Sequence, residues 1–292
     1  MTFMKKRGAN KAERIMSLIF AIFGLTALTF VIIITAFLLL SGIPAIREIG
    51  IFKFLFGQVW SPTSSDAQYG ILPFILTSVY GTLGAIIIGV PIGVLCAVFI
   101  SKFAPRRAAS VMRSAVELLA GIPSVVYGLV GMIVLVPAVR SLFSLPDGAN
   151  LFTAVIVLAV MILPSVISVS ESAINAVPRE YEEASLALGA TKTETVFKTV
   201  IPAAKSGILA SVVLGTGRAI GEAMAVMMVS GNAPNMPSLF KSVRFLTTAV
   251  ASEMSYSSGL QRQALFSIAL VLFIFILIIN LILNLVTKRK NR

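Results

Sequence analysis

Arg218 and Glu222 lie in the stretch RAIGEAM, four residues apart, inside a run from Ser206 to Ser230 that is otherwise apolar or small. On one helix that spacing sets both side chains on the same face. An ionised side chain at the middle of a bilayer costs from about 3 to more than 10 kcal/mol, so it persists only when paired or facing a polar path. Two readings follow. The pair neutralises itself as a structural ion pair on one helix, or Arg218 offers planar, two-pronged donors to an oxyanion.

A second polar pair sits in GIPSVVYGL, residues 121–129. Pro123 removes a helix hydrogen bond and is expected to kink the span, leaving Ser124 and Tyr127 as groups that can face a cavity. The plainer alternative is a serine bonded to its own helix and a tyrosine at a packed interface. Arg113 and Glu117 repeat the four-residue spacing closer to a membrane surface, where an interfacial pair is expected.

These residues need a membrane frame, and composition supplies it. The 292 residues are 57% hydrophobic and 12% charged, with a mean hydropathy of +0.97, far above that of soluble domains. Uncharged runs cover 15–40, 67–101, 118–139, 149–170 and 263–287, each longer than the roughly 20 residues that cross a bilayer as helix. The Arg218 segment is the sixth span. No β-barrel alternation is present, so the expected class is an all-α membrane protein with six transmembrane helices. Residues 1–14 read as a cytoplasmic N-terminal tail, 15–287 as the membrane domain and 288–292 as a cytoplasmic C-terminal tail. The first apolar run is too long for a signal-peptide core, so it is read as a retained helix.

The formal charge of +12 reflects orientation. Lysines and arginines crowd residues 5–14, 102–113, 179–205 and 288–292, whereas the opposite side carries only Arg47, Lys53, Arg140, Lys241, Arg244 and Arg262. That asymmetry sets both termini in the cytoplasm of a multi-pass protein surrounded by membrane lipid. A single cysteine, Cys96, and no histidine exclude an internal disulfide, a histidine-based metal site and a histidine proton relay. The outer segment 42–68 is read as a surface helix followed by a loop.

Glycines at 215, 217 and 221, with alanines at 219, 223 and 225, make a helix face that another backbone can approach; Gly217–Gly221 and Gly89–Gly93 are both G-x-x-x-G pairs. Between the fourth and fifth spans, about residues 176–204 form a polar module on the cytoplasmic side. Pro178 opens a helix whose acidic residues favour its N-terminus, Gly189 closes it in a left-handed cap, and Thr191 with Glu194 forms a capping box for a second helix ended or bent by Pro202. Tyr181, Ala184, Leu188, Val196 and Phe197 give this hairpin apolar groups to press on a partner. A mere connector has the same pattern. The module carries as many acids as bases, so no nucleic-acid partner is expected.

The hairpin EEASLALGATKTETVFKTVIP resembles the EAA motif of ABC-importer permeases: Glu183, Ala184 and Ser185, then Gly189, then Thr199, Val200, Ile201 and Pro202 at the motif's spacing. Ser185 stands where the motif has a second alanine, and Thr199 where it has an apolar residue. GILPFI (70–75), GIPSVVYGL and GRAIGEAMAVMMVSGN (217–232) further resemble the PstC-like permeases of phosphate importers. The resemblance implies a type I ABC importer permease fold, with Glu182, Glu183, Ala184 and Gly189 coupling to a partner ATPase. It also implies a homologous permease partner, two cytoplasmic ATPase subunits and an extracytoplasmic phosphate-binding protein, in a bacterial cytoplasmic (inner) membrane. Arg218 would then hold phosphate, with Glu222 accepting a P–OH hydrogen bond or holding Arg218 when the path is empty.

The chain has no G-x-x-x-x-G-K-[ST] loop, so no cofactor is expected in it, and ATP and Mg would reside on the partner ATPase. A membrane enzyme finds no nucleophile–base pair to run on. The competing transport class is an ion-coupled secondary carrier for an anionic substrate, which would call for acidic residues in several spans or inverted repeats with broken helices.

Overall fold

The computed structural model describes residues 11–289; of the expected terminal tails, 1–10 and 290–292 lie outside the described residues. Helix α1 (Lys11–Ile49) already includes residues 11–14. Its threonines 26, 29 and 35 donate to carbonyls four residues back at 2.7–2.8 Å, which satisfies hydroxyls that would otherwise face hydrocarbon. At Gly42 it meets the last helix, α14 (Gly259–Arg289), where Ser267 Oγ donates to the Gly42 carbonyl at 2.6 Å.

Between α1 and the second span come α2 (Ile51–Phe56) and a two-stranded antiparallel ribbon, β1 (Trp60–Ser61) and β2 (Gln68–Tyr69). A short helix forms in the segment expected to carry one; the ribbon is a small exception to the all-α reading. Helix α3 (Leu72–Val98) runs on through a π-helical turn at Phe99–Phe103, and extended Ala104 and Pro105 then separate it from α4 (Arg106–Gly121). The third span then comprises α5 (Ser124–Val130), a π-helical turn at Gly131–Leu135 and α6 (Val136–Leu142).

Pro123 does more than kink. Ile122 and Pro123 are both extended, with ψ of 126° and 141°, so α4 and α5 are separate helices. Proline lacks the N–H that would continue the ladder and pushes its predecessor out of helical geometry. Amphipathic α4 is thereby freed from the span.

Helix α7 (Leu151–Asn175) is the most enclosed of the spans. It packs against α3 because Gly89 and Gly93 leave no room for more: a Cβ there would come within 2.7 Å of Ile162 and Val166 side chains. The expected close approach at this G-x-x-x-G pair is what the structure contains.

The hairpin follows as α8 (Arg179–Ala187), α9 (Lys192–Thr195), a π-helical turn at Val196–Val200 and α10 (Ile201–Ala203). Gly189 has φ +86°; its N–H donates to Leu186 O at 2.9 Å and that of Ala190 to Ser185 O at 3.2 Å. That double bond pattern is the Schellman cap, which requires the left-handed residue. Thr191 and Glu194 make the reciprocal capping box. Its hydrogen bonds from Thr191, with Lys198 adding to them, hold the Glu194 carboxyl at about 2, down from 4.5. A depressed carboxylate stabilises above its unfolded value, so the box is complete at neutral pH and is lost as pH falls from about 4.5 towards 2.

After the hairpin the chain bends by 69° into α11 (Lys205–Gly221), the sixth element able to span. Then come α12 (Met224–Val229), α13 (Leu246–Glu253) and α14. Among the described residues, five continuous helices and this bent one are long and apolar enough to cross a membrane.

Replacing Gly189 by valine forces a β-branched residue into the left-handed region at a cost of about 1 kcal/mol or more. No atom lies within 4 Å of a Cβ at this position, so the penalty is in the backbone alone. The expected outcome is normal membrane insertion with reduced ATPase association and transport, read by copurification and uptake; unchanged values for both would make the hairpin a connector.

Candidate functional site

Helix α11 stops at Gly221. Glu222 is extended (φ −73°, ψ 128°) and Ala223 turns the chain before α12 begins at Met224. The expectation of one continuous helix through Arg218 and Glu222 is therefore corrected: the helix breaks at Glu222, which removes the reading of the two as a pair on one helix face. Two hydrogen bonds hold the break. Glu222 Oε1 accepts the Ala225 N–H at 2.9 Å, capping the first turn of α12, and the Glu222 carbonyl accepts Thr247 Oγ1 from α13 at 2.7 Å.

Arg218 is half-buried in the last turn of α11. Among the described residues it has no ion-pair partner: the four pairs are Lys102–Glu182, Arg113–Glu171, Lys198–Glu194 and Arg244–Glu253. The Tyr127 hydroxyl donates to the Leu119 carbonyl at 2.7 Å, bridging the gap between α4 and α5. Ser124, the first residue of α5, is half-buried and makes no back-bond to its own helix among the described hydrogen bonds.

What brings these groups together is the seating of α5 on α12. A Cβ on Gly128 would lie 2.7 Å from Ala225 Cα, so the two backbones touch there. Tyr127 packs on the cluster containing Ala225, Val226 and Val229. Gly217 and Gly221 behave in the opposite way, with nothing within 4 Å of a Cβ at either. The α11 face beside Arg218 is open in this chain.

On the hairpin, Glu183 and Ala184 are exposed, as is Gly189 at the tip. Glu182 turns inward to an ion pair with Lys102. Tyr181, Phe197 and above all Leu188, 91% exposed, present apolar surface, whereas Val196 is buried against the spans. The two departures from the EAA pattern meet: Thr199 Oγ1 lies 3.4 Å from Ser185 Oγ, which is 3.0 Å from Thr195 Oγ1.

Two polar clusters have no counterpart in the sequence reading. Arg113 pairs with Glu171 of α7, Nε to Oε1 at 2.6 Å, and not with Glu117. At the far end Glu253 accepts from Arg244, Trp60 and Gln261. Partners separated by 58 and 193 residues leave no spacing signal.

A bundle of membrane-length helices with one broken span and a helical hairpin on a single face is the architecture of an ABC-importer permease. The chain belongs to the family of binding-protein-dependent transport system inner membrane components, which it matches over residues 89–292. It is a multi-pass inner-membrane protein. It is 38% identical over 263 residues to the probable ABC transporter permease protein YqgH of Bacillus subtilis, covering 88% of this chain and 85% of that one. It is 36% identical to the phosphate transport system permease protein PstC of Pasteurella multocida, covering 82% and 81%. The fold matches a bacterial alginate ABC transporter with TM-score 0.62 at 16% identity, over 97% of this chain and 96% of that one. It also matches the inward-facing MetNI methionine ABC transporter with TM-score 0.57 at 20% identity, over 76% and 95%.

Gly128→Val inserts atoms where two backbones meet, an overpacking that costs about 1–3 kcal/mol; transport is expected to fall with a measurable loss of thermal stability. Glu222→Ala removes a cap worth about 1 kcal/mol, while Glu222→Gln keeps an oxygen that can accept the Ala225 N–H. Thermal unfolding in detergent should therefore separate them, with the alanine variant the less stable; equal stability would show that the break does not depend on this cap.

Proposed function

We propose that this chain is the permease subunit of an ATP-driven inorganic phosphate importer of a bacterial cytoplasmic membrane, with both termini cytoplasmic. It forms the anion path with a homologous permease at the open face of α11, and its hairpin presents Glu183, Ala184 and the Gly189 turn to one of two cytoplasmic ATPase subunits. ATP and Mg are held by those subunits, so the chain needs no cofactor of its own. An extracytoplasmic phosphate-binding protein delivers the substrate.

The observation that carries this reading is Arg218: a half-buried guanidinium at a broken span, with no ion partner among the described residues and an open glycine face beside it. An unpaired cation at depth is costly and calls for an anion. Arg218 fits the two oxygens of a phosphate with its fork of donors. Glu222 has one carboxylate oxygen committed to α12; the other suits the P–OH of a protonated phosphate. The choice of phosphate rests on the relatives named as phosphate transport permeases and on this chemistry together. Family membership favours ATP-driven import over the ion-coupled carrier.

Arg218→Lys keeps the charge but loses the planar fork. Forfeiting one charge-assisted hydrogen bond, worth about 1.5–3 kcal/mol, should cut radiolabelled phosphate uptake at least ten-fold in cells lacking other phosphate transporters. The double change Arg218→Gln with Glu222→Gln removes both charges while leaving a capping oxygen. It is expected to assemble normally and not transport. Uptake near wild type in the double variant would leave the two residues as structure only.

A further inference from the structure

We propose that Arg113 is a two-position coupling switch, paired with Glu171 in this state and released to Glu117 when the hairpin moves; the proposal rests on the transport reading above. A line of side-chain contacts leads from the hairpin to the site. Glu182 of α8 pairs with Lys102 in the turn after α3. Its neighbour Ser101 donates to Asn175 Oδ1, and Asn175 Nδ2 lies 3.5 Å from Glu171 Oε1, the oxygen that also accepts Arg113 Nε.

Arg113 lies on α4, which packs against α7 and the Phe99–Phe103 turn. The Leu119 carbonyl in the last turn of α4 accepts the Tyr127 hydroxyl, and α5 is seated on α12 where Gly128 meets Ala225. The contacts pass from α8 to the Phe99–Phe103 turn, α7, α4, α5 and α12. A shift of α8 therefore reaches the Glu222 break through α4, acting as a stiff lever.

A chain of contacts becomes a switch only if one member has two discrete arrangements. Arg113 has them. Glu117 stands one turn along α4, where the i,i+4 spacing lets the guanidinium reach it. Arg113, Glu117, Ser168, Glu171, Ser172 and Asn175 line one cavity of about 250 Å³. The cavity, which buried Val116 also lines, provides open space beside the guanidinium. Glu171 is only 11% exposed at its side chain, so losing Arg113 leaves a shielded carboxylate with Asn175 as its remaining neighbour. The two positions are thus unequal and can be biased by movement of Asn175 with the hairpin.

The experiment measures ATP hydrolysis by the reconstituted complex, basal and in the presence of phosphate-loaded binding protein. Glu171→Gln and Glu117→Gln each remove one position, so each is expected to assemble and hydrolyse basally as wild type does while losing stimulation ten-fold or more. Arg113→Gln should do the same, and Arg113→Lys should retain most stimulation because an ammonium can pair with either carboxylate. A passive brace needs Glu171 alone. Wild-type stimulation in Glu117→Gln therefore overturns the switch, as does a Glu171→Gln variant whose only defect is loss of assembled complex. The wild-type complex run alongside separates the two readings: stimulation by a solute other than phosphate overturns the phosphate assignment, and the switch is then read with that solute.

Discussion

The cost of a charge without water organises this molecule. An apolar frame leaves each ionised side chain three outcomes: a partner, a helix end, or a polar path. Glu171 takes a partner in Arg113, Glu222 takes the N-terminal turn of α12, and Arg218 takes neither. The helix break follows from the same economy. A continuous helix would leave Glu222 only Arg218 as a partner, whereas breaking at Glu222 gives its carboxylate a backbone donor and its carbonyl a hydroxyl from Thr247.

The hairpin shows how small substitutions keep a shape. An alanine at 185 and an apolar residue at 199 would meet through dispersion alone. Here Ser185, Thr195 and Thr199 form one hydroxyl cluster, so each polar departure supplies the other's hydrogen-bonding partner. A single polar change at that contact would leave a poorly satisfied group, and the pair avoids it. The Gly189 turn and the Thr191 box then fix the two short helices relative to each other without any long-range contact.

What was legible in the sequence follows this division between local and distant physics. Five of the spans, the Schellman glycine, the capping box and the Gly89–Gly93 contact are set by neighbours along the chain or by a small-residue stripe, and they stand in the structure, although the third span begins only at Ser124. The break at Glu222 was hidden because Arg218 and Glu222 at four-residue spacing look like an ideal helical pair. What decides against the pair is Thr247, 25 residues away. Arg113 misled in the same way, since its local partner Glu117 is in register while its actual partner lies on another helix. Pro123 was recognised as a disruption but read as a kink, because proline alone does not say whether the chain resumes its direction. For the glycines at 217 and 221, spacing matched that of 89 and 93, yet no neighbour of this chain covers them.

The site is held unequally from its two ends. On the side away from the hairpin, α13 begins at the Thr247 contact with Glu222 and ends at Glu253, whose carboxylate gathers Arg244, Trp60 and Gln261. Both members of the Arg244–Glu253 pair are 13% exposed, and separating such a pair strands charges that water cannot reach. On the hairpin side the tie joins Arg113, 46% exposed at its side chain, to Glu171 at 11%, so water reaches one member of the pair and offers the guanidinium an alternative partner. Rearrangement is therefore cheaper at the hairpin end than at the α13 end. On the coupling proposed above, a conformational signal entering from the hairpin meets the softer joint first, and the α13 clamp gives Arg218 and the Glu222 break a fixed reference against which that movement can act.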